Sequence, residues 1–179
     1  IIRNGGEPLI LVTNTISSSR HGALGMNEAL KFYFTKDEKP TVGTIINTTG
    51  MSISILASPG DGSEPRDTSI FELTKVPVIQ GMQTYYSYEQ WKKSLAGLDN
   101  MMLSSCVYQP EFDGQIITVT VATREVIETH CGKKNTFLPI KDRVDKVCKL
   151  AVKWARLKDI PNKDKKVAII FHNIPPRND

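Results

Sequence analysis

Residues 42–50 read VGTIINTTG and combine a predicted buried strand with a polar end. The run 42–46 is short, apolar and rich in β-branched side chains, which is typical of a strand buried on both faces. Polar and small residues end the run at once, in Asn47-Thr48-Thr49-Gly50. Buried strands of this kind occur in parallel sheets, where ligands bind beyond the carboxyl ends of the strands.

Similar segments lie on both sides of this strand. Further strands are predicted at 8–12, 76–79, 115–121 and 167–171, and helical spacing predicts helices at 23–35, 67–75 and from Pro139 to about Lys158. Pro77 favours an edge strand or a strand start, and 101–108 fits either a strand or a helix. The alternation predicts an α/β fold with a mostly parallel sheet flanked by helices, in Rossmann-like or flavodoxin-like layers.

Composition and charge exclude several classes of protein. The chain has 179 residues, of which 40% are hydrophobic and 23% charged, so it is neither disordered nor collagen-like. No apolar run approaches the roughly 20 residues of a membrane span. The net charge of +4 is all carried by 141–159, without interleaved aromatic residues, so we expect no nucleic-acid partner. Three scattered cysteines indicate a reducing cytoplasm rather than a disulfide framework or a zinc site.

Polar residues that directly follow the predicted strands, at their carboxyl ends, are the first candidates for ligand binding. These segments are Thr13-Asn14, Asn47-Thr48-Thr49-Gly50, Gly81-Met82-Gln83 and His172-Asn173. We take Asn47, Thr48, Thr49, Gly50 and Gln83 as candidate substrate-binding residues. The competing interpretation is that polar residues simply end strands. Neither a G-x-G-x-x-G sequence nor a Walker motif is present.

A second candidate is the PEFDG sequence at 110–114, which directly precedes a predicted strand. A turn explains Asp113-Gly114 without any functional role. Glu111 is harder to explain in this way, because Pro110 fixes the backbone before it. A carboxylate at this place is a candidate proton acceptor or hard metal ligand. The three histidines, His21, His130 and His172, are far apart in sequence, and a lone histidine is more often structural than catalytic.

Several of these motifs, in their order and spacing, resemble a known family of metal chelatases. The chain resembles the large subunit of cobaltochelatase (CobN) and the corresponding large subunit of magnesium chelatase over about residues 40–179. The resemblance is carried by VGTIINTTG at 42–50, VPV at 76–78, QW at 90–91, GL at 97–98, QPEFDG at 109–114, AVKWARL at 151–157, PN at 161–162, KKVAII at 165–170 and NIPP at 173–176.

This resemblance implies a function and partners. It implies a cytoplasmic subunit of well over a thousand residues that binds a tetrapyrrole and inserts a divalent metal. Two smaller subunits, at least one of them an AAA-type ATPase, would supply ATP-driven work. On this basis we expect the chain to be an excised segment, with an α/β domain at 1–138 and a helix and strand at 139–179 that lead into the next segment.

The resemblance also suggests the metal and the reacting residues. The strand sequence QIITVT at 115–120 and the sequence FHNIPPRN at 171–178 look more like the cobalt branch, so cobalt and a corrin-type ring are favoured over magnesium. Metal insertion must remove two pyrrole N–H protons and strip water from the ion. The resemblance therefore implies Glu111 and Asp113 as catalytic residues, and His172 as a metal ligand.

Three alternatives stay open at this point. The chain could belong to a magnesium chelatase that acts on chlorophyll-type porphyrins. It could be a non-catalytic scaffold or docking module of such a subunit. It could also be an unrelated α/β domain that binds a small anionic ligand.

Overall fold

The computed structural model describes residues 1–12, 24–52, 74–95 and 97–170, apart from the side chain of Asn27. A small antiparallel hairpin comprises β1 (Thr35–Lys36) and β2 (Lys39–Pro40). The main sheet contains, in spatial order, β3 (Ile45–Asn47), β4 (Val78–Thr84), β5 (Gln115–Thr129) and β6 (Gly132–Pro139). The first three of these strands are parallel, and β6 returns antiparallel to β5. The predicted α/β fold with a mostly parallel sheet is confirmed, and the Rossmann-like or flavodoxin-like layering stays a prediction.

The described helices precede, separate and follow these strands along the chain. They are α1 (Met26–Phe34), α2 (Tyr88–Lys93), α3 (Asn100–Leu103), a π-helical segment (Ser104–Tyr108), α4 (Gln109–Phe112) and α5 (Lys141–Leu157), with short 3₁₀ turns at Ile2–Asn4 and Asn162–Asp164. The predicted helices at 23–35 and 139–158 are confirmed, and the ambiguous segment 101–108 is helical. Ser87 begins α2 through a capping box with Gln90, as its sequence indicates. The helix predicted at 67–75 lies mostly outside the described residues.

One face of the sheet is covered by α5. Val147 and Ala151 are one helical turn apart and pack against Ile79 of β4 and Val119 of β5. All four side chains are buried. The basic residues of this helix lie on its solvent side, as expected from the amphipathic pattern, with exposed side chains at Lys141, Lys146, Lys149, Lys153 and Arg156.

The other face carries two separate apolar clusters. In the first cluster, α1 packs on β3 and β4 through Met26, Leu30, Phe34, Ile45 and Val78. In the second, Met82 of β4 packs against Met102 of α3 and Cys106 of the π-helical segment. Between Val78 and Met82, side-chain alternation along β4 places the buried polar residue Gln80 on the same face. A polar layer therefore separates the two clusters.

Two predicted strands are wrong. The described residues 8–12 and 167–170 contain no strand and are mostly exposed, with Val12 91% and Ile170 92% accessible. An apolar run becomes a parallel strand only when a neighbouring strand pairs with its backbone and other elements cover both faces. Among the described residues, β3 pairs with β4 and with no other strand. Neither 8–12 nor 167–170 therefore pairs with the free edge of β3.

The strand after Pro77 and the strand after Gly114 also differ from prediction. Pro77 directly precedes β4 (Val78–Thr84), so the strand-start alternative is confirmed and the edge alternative is wrong, because β4 lies between β3 and β5. β5 extends to Thr129, well past the predicted 115–121, and β6 was not predicted. The distal part of this hairpin is solvated, so no alternation of apolar and polar residues marks it.

The longest helix, α5, has 17 residues and many charges. Within the part of the chain that the structure describes, no helix is both long and apolar enough to cross a membrane.

Candidate functional site

The end of β3 is held by a buried asparagine whose orientation is fixed. Asn47 is 6% exposed, and its Oδ1 accepts hydrogen bonds from Thr49 N at 3.0 Å and Thr49 Oγ1 at 2.9 Å. Because a backbone N–H can only donate, the atom it reaches must be the side-chain oxygen rather than the nitrogen. The Nδ2 group therefore points in the opposite direction, towards the side chains of β4 and β5.

That nitrogen joins three neighbouring strands. Asn47 Nδ2 donates to Gln80 Oε1 on β4 at 2.9 Å and to Gln115 Oε1 on β5 at 2.8 Å. Gln80 is 0% and Gln115 1% exposed. We call Asn47, Gln80 and Gln115 the amide triad. It forms the polar layer between the two apolar clusters on this face of the sheet.

The orientation of Asn47 also dictates where the glutamine nitrogens point. Since each glutamine presents Oε1 to Asn47, its Nε2 group must face away from Asn47. Both Nε2 groups are buried, and neither has a hydrogen-bond partner among the described residues. Leaving a buried donor unsatisfied costs about 1–3 kcal/mol, so native proteins rarely do so without a reason.

The backbone beside the triad is irregular. Ile79 pairs with Ile116 and Gly81 with Val119, so two residues of β5, Ile117 and Thr118, lie opposite Gln80 alone. Ile117 has a φ of 56°, which is costly for a β-branched residue. The buried Oγ1 of Thr118 also has no partner within the described part of the chain. Backbone outliers of this kind concentrate at functional sites.

The loop after β3 closes over the neighbouring strand. Gln83 Nε2 donates to the Thr48 carbonyl at 3.4 Å, and Asn47 Nδ2 also reaches the Met51 carbonyl at 3.4 Å. Gly50 has a φ of 75°, which lets the chain turn here. The structure thus brings together Asn47, Thr48, Thr49, Gly50 and Gln83, the five residues that the sequence singles out.

A cavity of about 920 Å³ lies on the open side of β3. Its walls are largely apolar and come from residues 5–12, from α1 and from one side of α5, through residues such as Leu11, Leu30, Phe34 and Val152. Asn47, Thr48 and Thr49 line it at the end of β3, and further polar or charged side chains come from Glu7, Thr41, Thr44 and Arg156. Gly50 and Gln83 lie outside the lining. An apolar cavity of this size with a few converging polar groups is the usual form of a ligand site.

The two candidate carboxylates lie just before β5, whose first residue, Gln115, belongs to the amide triad. Glu111 is exposed on α4, whereas Asp113 is 4% exposed in the turn that leads into β5. Gly114 N donates to the Glu111 carbonyl at 2.9 Å. Gln83 pairs with Ala122, seven residues along β5 from Gln115, which is about 23 Å along the strand. Glu111 and Gln83 are therefore not neighbours.

Gln115 connects these two regions. It directly follows the PEFDG sequence and binds Asn47 at 2.8 Å, so the carboxylate turn is tied to the end of β3 by one hydrogen bond. Sequence reasoning missed Gln80 and Gln115, because it concentrated on carboxylates and strand exits. The signal was present: Gln80 interrupts an otherwise apolar run from Val76 to Met82.

The predicted metal ligand His172 lies outside the described residues, as does His21. Within residues 1–12, 24–52, 74–95 and 97–170, no three His, Cys, Asp or Glu side chains are grouped so that they could hold a metal ion. All three cysteines are free, with Cys106 buried and Cys131 exposed.

Comparison with known proteins decides the family. The family described as CobN/Magnesium Chelatase matches residues 2–179. The chain belongs to the CobN/magnesium chelatase family. The resemblance inferred from the sequence motifs is thereby confirmed.

Relatives from both branches of the CobN/magnesium chelatase family are similar to the chain. The protein MJ0908 of Methanocaldococcus jannaschii is 38% identical over 100% of this chain and 14% of its own length. The aerobic cobaltochelatase subunit CobN of Pseudomonas aeruginosa is 30% identical over 79% of the chain and 11% of its length. The magnesium-chelatase subunit ChlH of Oryza sativa subsp. indica is 27% identical over 77% of this chain and 9% of its own length. The chain spans at most 14% of the length of these three relatives.

One solved structure is also similar. The catalytic subunit of cobaltochelatase from Mycobacterium tuberculosis matches with a TM-score of 0.53 and 27% identity, over 69% of this chain and 10% of that one. The CobN/magnesium chelatase fold of this chain is therefore supported by both sequence and structure.

Proposed function

We propose that the chain is part of the large subunit of an ATP-dependent chelatase that binds a corrin-type tetrapyrrole and inserts cobalt, as in cobalamin biosynthesis. The observation that carries the proposal is the cavity beside β3, with apolar walls and the polar group of Asn47, Thr48 and Thr49 at one end. In a member of the CobN/magnesium chelatase family, such a cavity suits a large apolar ring with polar substituents.

Residues from the end of β3 and from the turn before β5 have roles in this proposal. Asn47, Thr48 and Thr49 contact the ring substituents, and Gly50 and Gln83 hold the loop that presents them. Glu111, whose carboxylate is exposed, accepts a pyrrole proton or receives the incoming ion. Asp113, which is buried in the same turn, is the second candidate for this catalytic role. His172 is a candidate ligand for the metal, which is a substrate here.

Partner subunits complete the reaction in the proposal. An AAA-type ATPase subunit and a third chelatase subunit supply the ATP-driven work, as the family resemblance implies. We place the complex in the cytoplasm. The exposed basic side of α5 is a candidate surface for one of these partners.

Two other functions are each favoured by a specific observation. The similarity to subunit ChlH supports magnesium and a porphyrin as the second candidate substrate pair. A scaffold role without chemistry is the third, and the exposed basic side of α5 supports it as a surface for docking.

The experiment is metal insertion by the intact large subunit with its ATPase partners, followed by visible absorbance of the ring. Cobalt and magnesium are supplied separately with a corrin precursor and with a porphyrin. We expect ATP-dependent insertion of cobalt into the corrin precursor. If magnesium is inserted into the porphyrin and cobalt is not inserted into the corrin precursor, the second candidate function replaces the first. If the ring binds but no metal is inserted, the scaffold role is favoured.

A further inference from the structure

The cavity beside β3 has a second polar region, which carries a positive charge. Among the described residues that line the cavity, Glu7 and Arg156 have charged side chains. Arg156 follows Val152 by one helical turn on α5, and both residues border the cavity. The exposed lysines Lys149 and Lys153 of the same helix lie outside the lining. Arg156 is therefore the cation of α5 that a ligand in the cavity can reach.

The guanidinium of Arg156 is held by the backbone at the start of the chain. Its Nη2 group donates hydrogen bonds to the carbonyl oxygens of Asn4 and Gly5, each at 3.4 Å. Gly5 has a φ of 76°, which favours glycine, and a Cβ at this position would lie 2.7 Å from Nη2. Another residue here would displace the guanidinium. The group is therefore positioned at the cavity edge before a ligand binds.

Most of the donors of this guanidinium remain available. Arginine carries five N–H bonds, and the three on Nε and Nη1 have no partner among the described residues. Neither of the ion pairs found among those residues involves Arg156 or Glu7. An unpaired, positioned guanidinium beside apolar walls is suited to a carboxylate, which forms strong charge-assisted hydrogen bonds with it.

This charged region and the end of β3 lie at opposite ends of the cavity. A Cβ on Gly43 would lie 2.8 Å from the Cβ of Ala155, so the last turn of α5 packs beside the amino end of β3. Asn47 follows Gly43 by four residues, which corresponds to roughly 13 Å of extended chain. A small anion can contact Arg156 alone. A ligand that contacts both Arg156 and Asn47 must be large and carry polar groups at opposite edges.

We propose that Arg156 binds a carboxylate of the ligand at the amino end of β3, and that this carboxylate is an acidic substituent of the tetrapyrrole. The second part rests on the proposed function, because natural tetrapyrroles carry acetate and propionate substituents. Leu11 and Leu30 contribute to the apolar walls that would hold the ring. Arg156 then selects an acid at one edge of the ring, while Asn47 contacts a substituent at the other.

The test compares an acidic tetrapyrrole with its fully esterified form on the intact large subunit, by visible-absorbance titration. We expect the wild type to bind the acid about tenfold more tightly than the ester, since a hydrogen bond to a charged group is sufficient for that factor. Arg156→Gln should remove this preference and leave binding of the ester unchanged. Arg156→Lys should keep part of it, because lysine retains the charge without the planar fork.

Lys153→Gln is the matched control. It removes the same charge from the same helix at an exposed position outside the cavity lining, so the preference for the acid should stay at the wild-type value. An equal loss of acid binding in Lys153→Gln and Arg156→Gln would show that only the overall charge of α5 matters, and it would overturn the proposal.

Two further results would overturn the carboxylate site. One is equal binding of acid and ester by the wild type. The other is a loss in Arg156→Gln that is the same for both forms, which a purely structural role in holding Asn4 and Gly5 predicts. Because the hydrogen bonds to these residues are long, the variant should fold, and a thermal melt checks this. If it does not fold, Arg156→Lys makes the comparison, and an undiminished preference in that variant would overturn the site.

A second readout separates the site from the proposed function. Anilinonaphthalene sulfonate is an apolar anion, and N-phenylnaphthylamine is the same molecule without the charge. On the intact large subunit, Arg156→Gln should weaken fluorescence-detected binding of the sulfonate and leave that of the neutral compound unchanged. If no tetrapyrrole binds but this difference is found, the proposed function fails and the anion site stands. If a tetrapyrrole binds but Arg156→Gln changes neither the acid preference nor sulfonate binding, the anion site fails alone.

Discussion

The amide triad and the turn before β5, two regions that meet at Gln115, hold different chemistry. At the end of β3, three neutral amides are buried and fix one another through short hydrogen bonds. At the start of β5, a carboxylate is exposed on Glu111, whose backbone carbonyl helps to close the turn. Buried amides are suited to recognising a fixed ligand, whereas an exposed carboxylate is suited to exchanging protons and ions. Under the proposed function, ring recognition and metal transfer would therefore involve different residues of this chain.

The largest expected effect follows from Asn47→Ala. This change removes the donor to Gln80 and Gln115, so two buried Oε1 atoms lose their partner. It also removes the acceptor of Thr49 N. We expect the free energy of unfolding to fall by about 4 kcal/mol, measured by chemical denaturation.

Asn47→Asp is the informative companion of that variant. The carboxylate keeps the bonds to Thr49, and both glutamines can rotate so that Nε2 donates to it. We expect a smaller loss of stability than for Asn47→Ala, because the two Nε2 groups then donate to the new carboxylate instead of lacking a partner among the described residues. An Asp variant as unstable as the Ala variant would show that the amide orientations are wrong.

Glu111→Gln should leave stability and ring binding unchanged, since the side chain is exposed. The rate of metal insertion by the intact subunit should fall by about 100-fold, which is the lower range for loss of a general acid–base group. Glu128→Gln, an exposed carboxylate on the β5–β6 hairpin, is the control and should insert metal at the normal rate. Equal rates for the two variants would remove Glu111 from the reaction.

The smallest effect is expected for Gln83→Ala. The hydrogen bond from its side chain to the Thr48 carbonyl is long at 3.4 Å, and the residue is half-buried. We expect the free energy of unfolding to change by about 0.5 kcal/mol and ligand affinity by less than about threefold. A loss as large as that of Asn47→Ala would mean that the loop, rather than the triad, holds the end of β3.

Short-range sequence patterns correctly predicted the elements whose formation depends mainly on their own residues. Apolar spacing located α1 and α5, and the run before Asn47 located β3. The same reasoning failed at 8–12 and 167–170, because strand formation also requires a partner that no single segment contains. It also failed for the distal β5–β6 hairpin, where solvation on both sides removes the alternating pattern.

The site shows a similar division between local and tertiary information. Asn47 could be predicted because it follows a buried strand directly. Gln80 and Gln115 could not, because they are 33 and 68 residues away in sequence and are brought to Asn47 only by the register of three strands. The unsatisfied Nε2 groups are visible only when the orientation of all three amides is known.

We propose that the cavity beside β3, which Asn47, Thr48 and Thr49 line, binds a tetrapyrrole. This proposal is tested most directly by titrating the intact large subunit with a corrin precursor, in wild-type and Asn47→Asp forms, while recording visible absorbance. We predict a saturable spectral change for the wild type, and at least about tenfold weaker binding for the variant once it is shown to be folded. A wild-type subunit without a saturable change, or two forms with the same affinity, would contradict the claim.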